Sequence, residues 1–240
     1  MSENLACEII YRRLDARSSG LSFLVVVILL DIDGTLVDTN YLHVDAWARA
    51  FHGIGLVVPR AAIHREIGKG SDQFLPVFVK EKHKAERADE LHLEEYGKLA
   101  EFGFALPGAR ELLQALRGDG HALWMATSAK PEEIAQRLDA VGVSQEIIAG
   151  IVSSGDVARS KPAPDIFVEA CKRAHCRPEQ AIVIGDTIWD MQAAKAAGTR
   201  AVAVLTGGAF SRAELMQAGA LAVYEDCAEM VAKQFPRDFT

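Results

Sequence analysis

Residues 23–30 form an uninterrupted apolar run, FLVVVILL, that leads directly into the acidic segment DIDGT at residues 31–35. A run of this length, rich in Val, Ile and Leu, is typical of a strand buried on both faces of a parallel sheet. A secretory signal has a similar apolar core, but Glu3, Glu8 and Asp15 offset the arginines before the run, and no small-residue cleavage site follows it. A bilayer span needs about 20 apolar residues. The run therefore predicts a central strand that ends in two carboxylates.

Beyond about residue 105, helical and strand patterns alternate along the chain. Apolar residues recur at helical spacing from Ala109 to Leu116, Gly118 and Gly120 end that helix, and a strand pattern follows at 121–127. Further strands, each after a helical segment, are predicted at 147–152, 181–185 and 201–205. Strands that alternate with helices of this length predict right-handed crossovers. We therefore predict an α/β fold with a doubly wound parallel sheet.

Residues 39–104 interrupt this alternation with helical patterns alone. Val44, Trp47 and Phe51 lie on one apolar stripe, and a later segment, ERADELHLEEYGKLAEF, has the composition of a charged surface helix. We therefore predict an all-helical domain inserted at 39–104 into a core domain made of residues 21–38 and 105–240. Residues 1–20 show no clear period and are predicted to be an extension before the core domain.

Charge and cysteine content limit the possible partners and compartment. The formal net charge of −7 argues against a basic groove for nucleic acid. The cysteines show no CxxC pair and no zinc-ligand spacing with histidine, which favours a reducing cytoplasm over a disulfide framework or a zinc site. We expect no membrane partner and a monomer or homodimer. The four cysteines are Cys7, Cys171, Cys176 and Cys227.

Four sets of polar residues follow apolar strand patterns, where ligands bind in a doubly wound sheet. Two aspartates two residues apart repel each other unless a hard cation such as Mg²⁺ lies between them. Hydroxyl and amide groups at a turn can bind an oxyanion, and a lysine held before two prolines can neutralise the charge of a phosphate or a carboxylate. The four sets are Asp31 with Asp33, Thr127 with Ser128, Lys161, and Asp186 with Asp190.

In this order, the four sets resemble the motifs of the haloacid dehalogenase superfamily, over about residues 23–225, and the helical insert is similar to its C1-type cap. The resemblance implies that Asp31 is a nucleophile that becomes an aspartyl-phosphate and that Asp33 is the general acid and base. Thr127, the Ser128 amide and Lys161 would hold the phosphoryl oxygens. Mg²⁺ would be bound by the carboxylates of Asp31 and Asp186 and the backbone carbonyl of Asp33. Asp190 would order a metal-bound water or Lys161.

The aspartate two residues after the nucleophile, Asp33, is a feature of the superfamily's phosphatases and phosphomutases rather than of its dehalogenases. We therefore expect a Mg²⁺-dependent phosphatase that resembles phosphoglycolate phosphatase and acts on a small phosphorylated metabolite. The alternatives are a sugar-phosphate mutase of the β-phosphoglucomutase type and a binding protein without catalysis. In the insert, His43, Arg65 and Lys69 are candidate substrate contacts. The mutases are expected to carry a Lys and an Arg about four residues apart in this loop, a spacing that is not reproduced around Gly68.

Overall fold

The apolar run that ends in DIDGT contains the central strand of a parallel sheet. The computed structural model describes residues 26–129 and 131–239. The sheet has six strands in the order β3-β2-β1-β4-β5-β6, and every neighbouring pair is parallel. The predicted extension at 1–20 and the start of the apolar run lie outside the described residues. The strands are β1 (Val27–Leu30), β2 (Ala122–Ala126), β3 (Ile148–Val152), β4 (Ala181–Gly185), β5 (Arg200–Val204) and β6 (Val223–Tyr224).

Helices connect the strands and also form the insert between β1 and β2. Those of the insert are α1 (Asn40–Gly53), α2 (Arg60–Glu66), α3 (Ser71–Phe78) and α4 (Lys82–Gly97). Those that follow are α5 (Ala109–Gly118), α6 (Pro131–Val141), α7 (Asp165–Arg173), α8 (Ile188–Ala197), α9 (Arg212–Ala218) and α10 (Cys227–Ala232).

Strand β1 is buried on both faces, as its continuous apolar sequence predicts. Successive side chains of a strand point to opposite faces, so Ile28 and Leu30 pack with α5, α6 and α10 on one side. Leu29 packs with α7, α8 and α9 on the other side. All three side chains are fully buried. The predicted doubly wound α/β fold is therefore confirmed.

The predicted strands at 121–127, 147–152, 181–185 and 201–205 match β2 to β5 to within about one residue at each end. The edge strand β6 has only two residues, Val223 and Tyr224. A strand this short offers too few positions for a period to show in the sequence.

The helical insert has a hydrophobic core of its own, built around Trp47, Phe51 and Phe74. It is joined to the sheet by two segments that pair with each other. The Asp38 backbone N donates to the Phe104 carbonyl at 2.9 Å, and the Leu106 N donates to the Leu36 carbonyl at 2.9 Å. The boundaries predicted at 38/39 and 104/105 fall within this paired stretch, and the division into two domains stays a prediction. We call the insert, residues 39–104, the cap.

Within the described ranges, no helix combines the length and the apolar character that crossing a bilayer requires.

Candidate active site

The carboxyl ends of β1, β2 and β4 bring three of the predicted sets together. Leu30 is in register with Met125 of β2 and Ile184 of β4, so the residues just beyond the three strands meet at one edge. Asp31, Thr127 and Asp186 are each at most 3% exposed there. The pairing of the strands therefore brings these polar groups to one edge of the sheet.

Lys161 lies between two of the predicted aspartates and is fully buried. Its Nζ is 2.8 Å from Asp31 Oδ1 and 2.7 Å from Asp190 Oδ1. Burial by itself lowers the pKa of Lys161, but the attraction of Asp190 and Asp31 outweighs it and holds that pKa above its ordinary value. Lys161 therefore stays charged and fixes the orientation of the Asp31 carboxylate.

Asp31, Asp186 and Asp190 form a buried acidic cluster whose oxygen atoms lie within 4.8 Å of one another. Burial raises the pKa of Asp31, Lys161 opposes this, and Asp190 and Asp33 add to it, so that the pKa of Asp31 is raised to about 7. The pKa of Asp186 is also raised well above its usual range, first by burial and then by Asp190 and Asp31. Three buried carboxylates thus face one ammonium. A hard divalent cation fits this donor set because it favours oxygen ligands and removes the excess negative charge.

Asp186 is oriented by groups that the sequence did not single out. Its Oδ1 accepts a hydrogen bond from Thr35 Oγ1 at 3.0 Å, and its Oδ2 accepts one from Asn40 Nδ2 at 3.0 Å. The segment that contains Gly207 passes close to Asp186, and a Cβ added at Gly207 would stand 1.7 Å from Asp186 Oδ2. Real Cβ atoms are essentially never found this close to another atom, so a larger residue at this position would displace the Asp186 carboxylate.

Asp190 shares its two carboxylate oxygens between helix α8 and Lys161. Oδ2 accepts hydrogen bonds from the backbone N and the hydroxyl of Thr187, which caps the first turn of the helix. Oδ1 faces Lys161. Asp190 therefore contacts Lys161, and its predicted roles in ordering Lys161 or a metal-bound water stay predictions.

Thr127 and Ser128 line the cavity above Asp31. Thr127 Oγ1 accepts a hydrogen bond from the Ala129 backbone N at 3.1 Å. Ser128 Oγ is buried and has no hydrogen-bond partner among the described residues. An unpaired buried hydroxyl costs free energy, and a bound oxyanion would supply its partner.

The cavity lies between the sheet edge and the cap and has a volume of about 70 Å³. Core residues form its floor, and one core helix and the cap form its walls. The floor consists of Asp31, Asp33, Thr127, Ser128 and Ala129, and the walls of His43, Trp47, Ile67, Gly68, Lys69, Gly70, Ser71, His92 and Arg137.

Asp33 is held by a buried arginine that the sequence did not reveal. Arg137 Nη1 is 2.8 Å from Asp33 Oδ2, and Thr39 Oγ1 donates to Asp33 Oδ1 at 2.5 Å. Burial alone would raise the pKa of Asp33, but Arg137, His43 and Thr39 outweigh it and hold that pKa well below its usual range. Asp33 is therefore a carboxylate in this structure.

The candidate contact His43 is part of an aromatic wall of the cavity. Its ring stacks on Tyr96, with centroids 4.0 Å apart, and its Nδ1 is 3.1 Å from His92 Nε2. His92 in turn stacks on Trp47. His43 Nε2 lies 3.7 Å from Asp33 Oδ1, so the histidine reaches both the core and the cap interior.

The other two candidate contacts of the cap lie in different surroundings. Lys69 lines the cavity, but its ammonium pairs with Glu66 and sits 3.8 Å above the ring of Trp189. Arg65 is not among the described residues that line the cavity. Its guanidinium donates to the Ala209 carbonyl at 2.7 Å, pairs with Glu214 and covers Phe210. Arg65 therefore fastens the cap to the core in this structure.

Comparison with known proteins identifies the family. The model of haloacid dehalogenase-like hydrolases matches residues 25–198. The chain belongs to this family. A hydrolase from Pseudomonas syringae of known structure is 35% identical to this chain and superposes on it with a TM-score of 0.80. The match covers 87% of this chain and 97% of the hydrolase. The protein SUPPRESSOR OF QUENCHING 1, chloroplastic, of Arabidopsis thaliana is 32% identical over 84% of this chain. This chain spans only 20% of that protein's length.

Phosphoglycolate phosphatase of Escherichia coli is 27% identical over 75% of this chain and 81% of its own length. The predicted family, its likeness to phosphoglycolate phosphatases and the prediction of a hydrolytic enzyme are thereby confirmed. Among the site residues of this haloacid dehalogenase-like hydrolase, Thr35, Asn40 and Arg137 were missed. Asn40 follows the first motif so closely that the segment DTN was a usable signal. No comparable signal marks Arg137.

Proposed function

We propose that this haloacid dehalogenase-like hydrolase is a Mg²⁺-dependent phosphatase that hydrolyses a small phosphomonoester through an aspartyl-phosphate on Asp31. The observation that carries the proposal is the Asp31 carboxylate, which lies at the floor of a small cavity, is oriented by Lys161, and sits beside the Thr127 and Ser128 hydroxyls. Phosphoryl transfer depends mainly on such positioning and charge neutralisation.

In the first step, the Asp31 carboxylate attacks phosphorus, a bond forms between its oxygen and phosphorus, and the ester oxygen leaves with the bonding electrons. Thr127 and Ser128 bind the transferring phosphoryl oxygens through their hydroxyl and amide groups, while Lys161 offsets the added charge. Asp33 gives a proton to the leaving oxygen, and the alcohol departs.

In the second step, a water molecule attacks the phosphorus and loses its proton to Asp33, which frees Asp31 and inorganic phosphate. The low pKa of Asp33 leaves it ionised while Arg137 holds it, which also makes it a weak base in that position. In the first step the same group has to carry a proton, which requires it to move away from Arg137. Asp33 therefore has to exchange partners during the cycle.

The Asp31 and Asp186 carboxylates, with the backbone carbonyl of Asp33, are the groups we propose for holding Mg²⁺. The cation would supply neutralisation of the charge on the phosphoryl group. We further propose a cytoplasmic setting, supported by the scattered cysteines, of which Cys171 and Cys227 are buried thiols.

The test compares hydrolysis of p-nitrophenyl phosphate by the wild type and by Asp31→Asn in the presence of Mg²⁺. We expect the variant to lose activity by about 10³-fold or more, as is usual for removal of a nucleophile, with an unchanged circular dichroism spectrum. Asp119→Asn, at an exposed position, is the matched control and should retain full activity. Retention of activity in Asp31→Asn would refute the proposal.

The mutase alternative is tested in the same preparation. His43 beside Asp33 is also a feature that the sequence shares with β-phosphoglucomutase. Incubation with β-glucose 1-phosphate should release inorganic phosphate without forming glucose 6-phosphate. Accumulation of glucose 6-phosphate would decide for the mutase.

A further inference from the structure

Asn40 joins the first helix of the cap to Asp186, a proposed ligand of the metal. It is the first residue of α1 and is only 2% exposed. Its Nδ2 donates to Asp186 Oδ2 at 3.0 Å and to the Gly207 carbonyl at 3.4 Å. Both neighbours are acceptors, and they fix the orientation of the amide because only its NH₂ group can donate to them. The amide oxygen Oδ1 is therefore left for another partner.

This oxygen has no partner in the described part of the protein. Oδ1 of Asn40 is buried, and no described residue donates a hydrogen bond to it. An asparagine at the start of a helix ordinarily accepts from a backbone N–H of the first turn. Here Thr39 is the N-cap residue, and Asn40 makes no such bond. A buried acceptor without a donor costs free energy, so a donor from outside the chain is expected at this position.

The amide of Asn40 is enclosed by the backbone at two glycines. A Cβ added at Gly34 or at Gly207 would lie less than 3.0 Å from Asn40 Nδ2. Gly34 directly follows Asp33, whose backbone carbonyl is a proposed ligand, and Gly207 passes close to Asp186. Because Oδ1 and Nδ2 are bonded to the same carbon, the unpaired oxygen stays beside the proposed ligands.

A Mg²⁺ ion bound at this site would bring the missing donor. Mg²⁺ requires octahedral coordination and usually keeps several of its waters. The three protein groups proposed as ligands leave positions for waters and for the phosphoryl group of the substrate. A water bound to a divalent cation is a strong donor because the cation makes it more acidic. Groups that hydrogen-bond to the ligands of a metal orient those ligands and increase the affinity for the metal.

We propose that Asn40 is a positioning residue for Mg²⁺, whose Nδ2 holds the Asp186 carboxylate while its Oδ1 accepts a hydrogen bond from a water bound to the cation. One amide thus contacts both a protein ligand and a water of the cation. The inference rests on the proposed phosphatase function and its metal site. It adds a residue of the cap to the groups that determine the affinity for Mg²⁺.

The test measures binding of Mg²⁺ alone by isothermal titration calorimetry, without substrate. Asn40→Leu keeps the approximate size of the side chain and removes both its donor and its acceptor. We expect its Kd for Mg²⁺ to be about 10- to 100-fold higher than that of the wild type, the usual loss for such a partner. Asn40→Ala should show the same loss and decides the question if Asn40→Leu does not fold. Gln114→Ala removes an exposed amide on α5; it is the matched control and should keep the wild-type Kd.

Thr35→Val separates the two contacts of the amide. Thr35 Oγ1 donates to the other oxygen of Asp186 at 3.0 Å, so this variant removes one hydrogen bond to the carboxylate and leaves Asn40 in place. Its Kd for Mg²⁺ should rise less than that of Asn40→Leu, because Asn40→Leu also removes the acceptor of the metal-bound water.

Two outcomes would overturn the inference. One is a wild-type Kd in Asn40 variants that fold normally by circular dichroism, because Asn40 would then only support the fold. The other is a rise in Kd in Thr35→Val that equals or exceeds the rise in Asn40→Leu, because the amide would then only hold Asp186. Failure of the proposed function is recognised separately, by a wild type that binds no Mg²⁺ or by retained activity in Asp31→Asn.

Discussion

Ser160 joins the cap to the residue that orients the nucleophile, and its removal gives a quantitative prediction. Ser160 is buried and directly precedes Lys161. Its Oγ accepts a hydrogen bond from the Gly70 backbone N at 2.9 Å and donates one to Asp72 Oδ1. Its backbone N donates to Asp72 Oδ2 at 3.0 Å. Gly70 and Asp72 belong to the cap, so these bonds exist only while the cap is closed on the core.

Ser160→Ala removes both bonds of the hydroxyl and leaves the backbone bond in place. The Gly70 amide then lacks a partner in the closed form but is hydrated in the open form. An unsatisfied buried group costs about 1–3 kcal/mol. At 1.4 kcal/mol for each factor of ten, the closed form should lose roughly 5- to 150-fold in population relative to the open form.

The assay is hydrogen exchange of the peptide that covers residues 64–72, followed by mass spectrometry. We expect faster exchange of several of its amides in Ser160→Ala, together with a lower kcat/KM for p-nitrophenyl phosphate. The peptide covering residues 82–97 is an internal control, because α4 packs within the cap. Thr199→Ala removes a hydroxyl that donates to the Ala194 carbonyl at 3.1 Å, within the core, and should leave both measurements unchanged. If residues 64–72 exchange equally fast in Ser160→Ala and the wild type, Ser160 does not hold the cap closed.

Two further predictions concern packing. Gly207→Ala places a Cβ against Asp186 Oδ2, and because this displaces a proposed Mg²⁺ ligand, the increase in melting temperature caused by Mg²⁺ should disappear. Gly97→Ala, with open space around its Cβ position, is the control and should retain the increase. An unchanged increase in Gly207→Ala would show that Asp186 is not a ligand. Phe51→Ala empties a fully buried site in the cap core and should lower the free energy of unfolding, measured in urea, by about 3–5 kcal/mol. Val57→Ala, at an 85% exposed position, should change the free energy of unfolding by less than about 0.5 kcal/mol. Equal losses in the two variants would contradict the assigned packing.

The sheet could be predicted because each of its longer strands carries its own signal. β1 reads as a continuous apolar run since both of its faces are covered, and the glycines and prolines between strands mark the ends of helices. β6 could not be predicted, because two residues show no period. Its place at the edge follows from pairing with β5, which depends on the folded sheet rather than on local sequence.

The floor of the site was predictable for the same reason. Asp31, Thr127 and Asp186 each follow a strand directly, and parallel strands bring their carboxyl ends to one edge. Lys161 does not follow a strand directly, but the two prolines after it suggested a rigid segment. The resemblance implied a contact between Lys161 and Asp190, whereas residue spacing alone does not show which carboxylates Lys161 reaches, namely those of Asp31 and Asp190.

The wall of the cavity was not predictable, and Arg137 shows why. On α6 an arginine among polar neighbours reads as a solvated side chain. It is buried because Tyr96 and His43, which are 41 and 94 residues away along the chain, close over it from the cap. A charged residue buried by a separate segment leaves no periodic signal in its own helix. Residues of the cavity wall therefore have to be found from contacts between cap and core, and Arg137 is one that those contacts bury beside the cavity.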